Sequence, residues 1–249
     1  MFKTKPHIMT KLIKPLDNQL TRSNDPLPKK GFIVYIFSGG KGSGKTTLIL
    51  NLLKNKEAYR KFYDNIVVFS STAHKDPKMD KLIKEVDSEG NYHSSCDEET
   101  IQEALQKLDK FNQEFDETDS DEEEDTKRKK KEPHNLFIFD DCIHMLPGSS
   151  QKSILNELFT QSRHYKLSIW IATQKMNKLN TIIRSQADLV SIWATHEKNE
   201  LKTIYDWGID PLMYEFATNE PNSFLHVSFF AGKPTYFKRF DKIILETVK

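Results

Sequence analysis

Apolar residues along this chain come in two rhythms, and their alternation predicts the architecture. Short, nearly continuous apolar runs cover 32–38 (Phe-Ile-Val-Tyr-Ile-Phe-Ser), 65–70 (Asn-Ile-Val-Val-Phe-Ser), 136–139 (Leu-Phe-Ile-Phe), 167–173 (Leu-Ser-Ile-Trp-Ile-Ala-Thr) and 187–193 (Ala-Asp-Leu-Val-Ser-Ile-Trp). Runs of that length, rich in β-branched and aromatic residues, read as strands covered on both faces. Between them the spacing turns helical: 48–54 carries no breaker, and Met79, Leu82 and Val86 share one side. Ile101, Ala104, Leu105, Leu108 and Phe111 repeat the pattern, with Ser95 and Glu98 as a candidate capping box in front. Ile154, Leu155, Leu158 and Phe159 mark a further helix within 151–164, and 197–218 holds two short ones. The chain then returns to strand character at 224–230 and 235–240, around Ala-Gly-Lys-Pro, as a terminal hairpin. Strands alternating with helices predict a three-layer α/β fold with a mainly parallel sheet, 32–38 and 135–140 being its central strands.

Two stretches fall outside this pattern. Residues 1–30 carry seven Lys or Arg against Asp17 and Asp25, with prolines at 6, 15, 26 and 28, and read as a basic extension, flexible or draped over the domain that occupies 31–249. A solvated leader and a contact for nucleic acid or a partner are its alternative roles. Residues 114–132 run from almost wholly acidic to Lys127-Arg-Lys-Lys-Lys131, and read as a disordered charged insertion whose blocks offset each other.

Composition narrows the class without deciding it. The 249 residues are enough for one α/β domain with small extras, and a net charge of +1 argues neither for nor against a polyanionic partner. Cys96 and Cys142 are the only cysteines, too few for a disulfide framework or a metal set, which suits a reducing compartment. No apolar run approaches the roughly 18 residues that span a bilayer, and the N-terminus lacks a secretory apolar stretch, so no membrane partner is expected.

Chemistry enters at the junction of the first strand and the first helix. Gly39-Gly40-Lys41-Gly42-Ser43-Gly44-Lys45-Thr46-Thr47 fits G-x-x-x-x-G-K-[ST] in its required strand–loop–helix setting. Glycines let backbone N–H groups turn toward phosphate oxygens, and the helix N-terminus adds a positive dipole. Lys45 is expected to reach the β- and γ-phosphates, and the Thr46 hydroxyl to ligate Mg²⁺. A second anchor is the strand ending in Asp140-Asp141. Asp140 is expected in the Mg²⁺ shell and Asp141 as the group that orients or polarises the attacking water. Gln174, at the end of strand 167–173, stands where it could sense the γ-phosphate. Asn177-Lys-Leu-Asn180 lacks the aspartate of the guanine-reading N-K-x-D pattern, which favours ATP over GTP.

The phosphate loop, Phe69-Ser-Ser-Thr72, Leu136-Phe-Ile-Phe-Asp-Asp141, Phe159-Thr-Gln-Ser-Arg-His164, Ile169-Trp-Ile-Ala-Thr-Gln174 and Ile183-Arg-Ser-Gln186 together resemble the poxvirus-type genome-packaging ATPases of large DNA viruses and virophages, in the FtsK–HerA branch of P-loop ATPases. The resemblance spans most of 31–240. It implies a RecA-like core, a homo-oligomeric ring, and ATP-driven movement of double-stranded DNA into a preformed capsid, with a capsid or portal protein as partner. It further implies work at the virus assembly site in the host cytoplasm, with the virion as a second location. Asp141 stands where many relatives in the wider superfamily have glutamate, and the insertion at 114–132 is foreign to the pattern. A ring would let an arginine reach a neighbour's site, and Arg163 and Arg184 are the candidates, Arg163 first. Two other functions compete: a nucleoside or nucleotide kinase, which needs an arginine-rich lid that the scattered arginines do not form, and a nucleotide-controlled assembly adaptor, against which the acid pair argues.

Overall fold

The structure is a computed structural model; it describes residues 25–29, 32–73, 76–118, 132–142, 154–230 and 233–244. Along the chain run β1 (Val34–Ser38), α1 (Lys45–Lys54), β2 (Asn65–Phe69), α2 (Asp80–Asp87), β3 (Tyr92–His93), α3 (Glu98–Thr118) and β4 (Asn135–Asp140). There follow α4 (Ile154–Gln161), β5 (Leu167–Thr173), a 3-10 turn at Met176–Lys178, α5 (Thr181–Ser185), β6 (Leu189–Trp193), α6 (Lys198–Asp206), α7 (Pro211–Thr218), β7 (Phe224–Ser228), β8 (Thr235–Lys238) and β9 (Asp241–Lys242). The strands form one sheet of nine in the order β3-β2-β4-β5-β1-β6-β7-β8-β9. Pairing is parallel from β3 through β6 and antiparallel from β6 to β9, so the hairpin read from the sequence forms and extends the sheet, with β9 added.

Each apolar run buries alternate side chains on opposite faces, which is why the runs have no polar phase. Val34, Ile36, Phe137, Phe139, Ile169, Ile171, Val190 and Ile192 face α3, α4, α5, α6 and α7. Tyr35, Phe37, Leu136, Ile138, Trp170 and Leu189 face α1 and α2. Three layers result. Both expected central strands lie in this sheet, but they are not neighbours: β5 lies between β1 and β4.

The segment 25–29 lies on the α1 face. Tyr59 donates its hydroxyl to Pro28 O at 3.1 Å, and the fully buried His226 bonds Pro26 O through Nε2 at 2.8 Å. Burial drives the His226 pKa down to about 4, so the ring is neutral; its Nδ1 lies 3.2 Å from both Tyr35 Oη and Ser191 Oγ.

Two boundaries differ from the sequence reading. Helix α3 continues to Thr118, past the predicted start of the charged insertion at 114. Its acidic end is anchored: Lys166 Nζ pairs with Asp116 at 3.1 Å, and Phe111 and Phe115 meet one turn apart on the helix as a tilted pair at 6.1 Å. The rest of that expectation falls mostly on 119–131, outside the described residues. The α3 cap is Asp97 rather than Ser95, Asp97 Oδ1 accepting from Thr100 N at 2.9 Å. Both cysteines are free and buried. Among the described residues no helix is long and apolar enough to cross a membrane.

Candidate functional site

Parallel strands deliver their C-terminal ends to one edge, where open α/β sheets keep their sites. Ser38, at the end of β1, is in register with Thr173 of β5, and Asp140 of β4 with Ala172. The phosphate loop and the acid pair therefore stand two strand spacings apart, roughly 10 Å. That gap admits a terminal phosphate and an attacking water, and Gln174 projects from the strand in the middle.

The loop itself is shaped by its glycines. Gly42 and Gly44 take φ of 76° and 106°, the left-handed region open to glycine at no steric cost. Gly39 is required for a different reason: a Cβ there would lie 2.7 Å from Ser43 Oγ and 2.9 Å from Trp193 Cβ. Ser43 N bonds Gly40 O at 3.2 Å to close the turn, and Gly39 N donates to Thr173 O at 3.1 Å, fastening the loop to β5. α1 begins immediately after Gly44 with no acidic residue in its first turn, leaving its positive end for an anion. The Ser43 hydroxyl is buried with no partner among the described residues, a polar atom oriented into the loop.

Lys45 is buried to 7 % exposure. Its ammonium donates to Gly39 O at 2.7 Å and Gly40 O at 3.1 Å. Burial lowers its pKa, while the charges of Asp141 and then Asp140 push it back up. The acid pair and the lysine thus share one electrostatic site, as the sequence motifs require. Asp140 is 6 % exposed. Burial and the neighbouring Asp141 charge raise its pKa to about 6, against the opposing pull of Lys45.

Asp141 does not continue the strand. Its φ of 51° is left-handed, a conformation aspartate tolerates better than most residues. In an extended strand, successive carboxylates would point to opposite faces; the turn at Asp141 breaks that alternation. Gln174 Nε2 then meets Asp141 Oδ1 and Oδ2, both at 3.3 Å. The three residues expected around the transferred phosphate are thereby brought together.

The donor chemistry suits Mg²⁺. The cation favours hard oxygen ligands and is held by one or two carboxylates plus substrate phosphates. Thr46 follows Lys45 in the first turn of α1, and Asp140 is a carboxyl whose raised pKa a cation would reverse. Among the described residues no three His, Cys, Asp or Glu side chains converge as a cage.

Other sequence candidates lie elsewhere. Arg163, four residues before β5, lines a polar cleft with Phe32, Val34, Gln186 and Asp188, at the opposite edge of the sheet from the phosphate loop. Asp188 Oδ2 accepts from Val34 N at 2.9 Å; burial raises its pKa to about 6, with Arg163 pulling it down. Arg184 closes α5, and Ala187 N donates to its carbonyl at 3.2 Å just before β6. Neither arginine belongs to its own chain's phosphate site. Asn180, from the near-miss guanine pattern, has structural work: it caps α5 by accepting from Ile183 N at 2.8 Å. The sequence reading missed Asp76, whose charge also acts on Asp140, and Lys78, whose Nζ reaches Thr47 Oγ1 at 3.4 Å. Both follow β2, next to the acid-bearing strand.

The sequence pattern of the family described as poxvirus A32 protein matches residues 21–204. The chain belongs to that family. The resemblance carried by its motifs is thereby borne out. No curated protein matches the chain. Among solved structures, it is similar to the genome packaging NTPase B204 of Sulfolobus turreted icosahedral virus 2 in complex with ATP-gammaS, at 16 % identity and a TM-score of 0.57, over 85 % of this chain and 98 % of that one. B204 from Sulfolobus turreted icosahedral virus, described as a DNA-packaging ATPase, matches at 19 % identity and 0.54, again over 85 % and 98 %. The pCW3 conjugation coupling protein TcpA, with ATPgS, matches at 10 % identity and 0.50, over 84 % of this chain and 61 % of that one. At such identities the likeness establishes the fold, a P-loop ATPase core with a C-terminal antiparallel extension.

Proposed function

We propose that this member of the poxvirus A32 family is an ATP-driven motor that moves double-stranded DNA into a preformed capsid. The observation that carries the reading is the convergence of Lys45, Asp140, Asp141 and Gln174 at one sheet edge, with β5 spacing the phosphate loop from the acids. A site built only to hold nucleotide has no use for a second carboxylate oriented by an amide. The packaging titles of the B204 relatives support the direction of the work.

In this reading the loop N–H groups and Lys45 bind the β- and γ-phosphates, and Thr46 and Asp140 hold Mg²⁺. Bound there, Mg²⁺ would offset negative charge on the β- and γ-phosphates. Asp141 accepts a proton from the attacking water as oxygen adds to the γ-phosphorus and the bond to ADP breaks; Gln174 fixes the carboxylate and meets the phosphate. The charge that develops is completed by an arginine from the next subunit of a ring, Arg163 or Arg184, because both lie away from their own site. Such an arginine is worth roughly a thousand-fold or more in rate. The ring works against a capsid or portal protein, at the site of virus assembly in the host cytoplasm.

The test is steady-state ATP turnover with and without double-stranded DNA, alongside mass in solution. Mg²⁺-dependent turnover by an oligomer, raised by DNA, is expected. Transfer of phosphate to nucleosides with no effect of DNA would refute the motor. For the arginine, Arg163→Ala and Lys45→Ala subunits, each inactive alone, are mixed. Recovered turnover supports Arg163 acting across the interface, and none in rings shown to be mixed moves the role to Arg184.

A further inference from the structure

Glu200 stands on the first turn of α6 and is only 3 % exposed. Its hydrogen-bond partners are neither the phosphate loop's glycines nor the acid pair, yet both carboxyl oxygens are engaged. Oε1 accepts from Met176 N–H, Oε2 accepts from Asn177 N–H at 3.1 Å, and Ser38 Oγ donates to Oε1 at 3.4 Å. A buried carboxyl is costly unless its oxygens are satisfied. Here all its partners come from segments that flank the site.

The two N–H donors open the 3-10 turn Met176–Lys178, whose preceding residue, Lys175, supplies no side-chain cap. Helical turns begin with unsatisfied N–H groups, and Glu200 serves them from another helix. That turn starts two residues after Gln174. Ser38 is the last residue of β1, directly before Gly39. Lys175 adds a second tie to the same region of α6, its Nζ pairing with Glu197 at 2.7 Å.

We infer that Glu200 is a positioning residue for the reaction: it fixes the segment carrying Gln174 relative to Gly39 and Asp141, and joins that segment to α6. The inference rests on the proposed function in one respect, that Gln174 takes part in turnover. The backbone bond from Gly39 N to Thr173 O at 3.1 Å holds the near side of Gln174. Glu200 holds the far side. With both ends fixed, the amide meets Asp141 symmetrically; with one end loose, the 3.3 Å contacts cannot be kept together.

Glu200→Gln tests this with little change of volume. One oxygen remains to accept, and the new NH₂ group faces an N–H donor. Displacements on the order of 1 Å near the chemistry cost up to about a hundred-fold in rate. The expected result is kcat lowered between ~10- and ~100-fold, with KM for ATP moved less than ~3-fold. The decisive arm is the double variant with Gln174→Ala. If Glu200 acts through Gln174, Glu200→Gln lowers kcat no further in that background; multiplicative losses overturn the inference. A raised KM with unchanged kcat also overturns it, as does a Gln174→Ala variant with full turnover. If Glu200→Gln does not fold, the same cycle is run with Ser38→Ala, which removes only the tie to β1. Its loss of kcat is expected in the wild-type background alone, and a multiplicative loss overturns the inference. Amide hydrogen exchange gives a reading independent of turnover. Met176 and Asn177, whose N–H groups Glu200 accepts, should exchange faster in Glu200→Gln. Unchanged exchange overturns the inference. A wild-type protein with no ATP turnover refutes the proposed function instead.

Discussion

Two adjacent glycines of the phosphate loop should respond in opposite ways to the same added methyl group. At Gly39 an alanine Cβ would lie 2.7 Å from Ser43 Oγ, 3.2 Å from Ser43 Cβ and 2.9 Å from Trp193 Cβ. The serine hydroxyl can rotate away. Trp193 Cβ cannot, because it is fixed to the end of β6, whose neighbour Ile192 is in register with Ser38. The loop must therefore shift, and overpacking of this kind costs about 1–3 kcal/mol. At Gly40 a Cβ meets nothing within 4 Å, and φ is not left-handed. There alanine should be neutral or stabilise by about 0.4–1 kcal/mol, through the unfolded chain's lost freedom. For a chain of this size each kcal/mol moves Tm by roughly 2–4 °C. Thermal unfolding without nucleotide should place Gly39→Ala about 2–12 °C below wild type and Gly40→Ala at or slightly above it. Fluorescent ATP-analogue binding should weaken with Gly39→Ala. Equal Tm values for the two variants, or a lower one for Gly40→Ala, would refute the steric account of the loop.

Lys45→Ala should remove nucleotide binding or turnover, read by analogue titration and phosphate release. It also removes the ammonium's bonds to Gly39 O and Gly40 O, while the backbone bonds made by Ser43 N and Gly39 N remain. Asp141→Asn should retain ATP and lose most hydrolysis, since fold and Mg²⁺ ligand remain while the water loses its base; equal turnover would remove the assigned role. Asp140→Asn should stabilise the nucleotide-free protein near neutral pH. The folded carboxyl has its pKa raised from 3.8 to about 6, so the folded state binds the proton more tightly, and wild-type stability falls as pH rises through that window. The difference is at most about 3 kcal/mol. Unfolding measured at about pH 4.5 and about pH 7.5 should show a clearly larger advantage of the variant at the higher pH; an advantage equal at both would reject burial of Asp140 as the cause.

The strands that build this site were legible because they are buried on both faces. Residues 34–38, 65–69, 135–140, 167–173 and 189–193 lie within or nearly coincide with the apolar runs, since no polar phase dilutes them. Their order in the sheet was not legible: nothing in 167–173 says that it separates β1 from β4, because side-chain patterning reports faces and not neighbours. β3 and β9 have two residues each, too few to show a period. The α3 cap was misplaced because Ser95 and Asp97 are both competent caps, and the choice is made by Asp97 Oδ1 meeting Thr100 N. Within the site, Lys45, Asp140 and Asp141 were readable because their spacing is local and their chemistry is specific. Glu200 was not. A glutamate in the first turn of a polar helix reads as solvated, and its partners lie more than twenty residues away in sequence.

The two edges of the sheet give the subunit a direction. Phosphate loop, acids and Gln174 occupy the C-terminal edge of the parallel strands, while Arg163 lies where β1 and β6 begin. A five-residue strand spans roughly 16 Å, so the two groups are separated by the thickness of the core and cannot meet within one chain. If the arginine acts, it does so on another copy, through a contact that joins unlike surfaces. Head-to-tail contacts of that kind close into rings when the rotation per step allows and otherwise run on as filaments. A two-fold dimer, which pairs like surfaces with like, does not in general place one chain's arginine edge on the other's phosphate site. Under the proposed function, an Arg163 that acts in trans would therefore bear on assembly as much as on catalysis: it would favour a ring over a two-fold dimer, on the same ground that sets it apart from its own chain's phosphate loop.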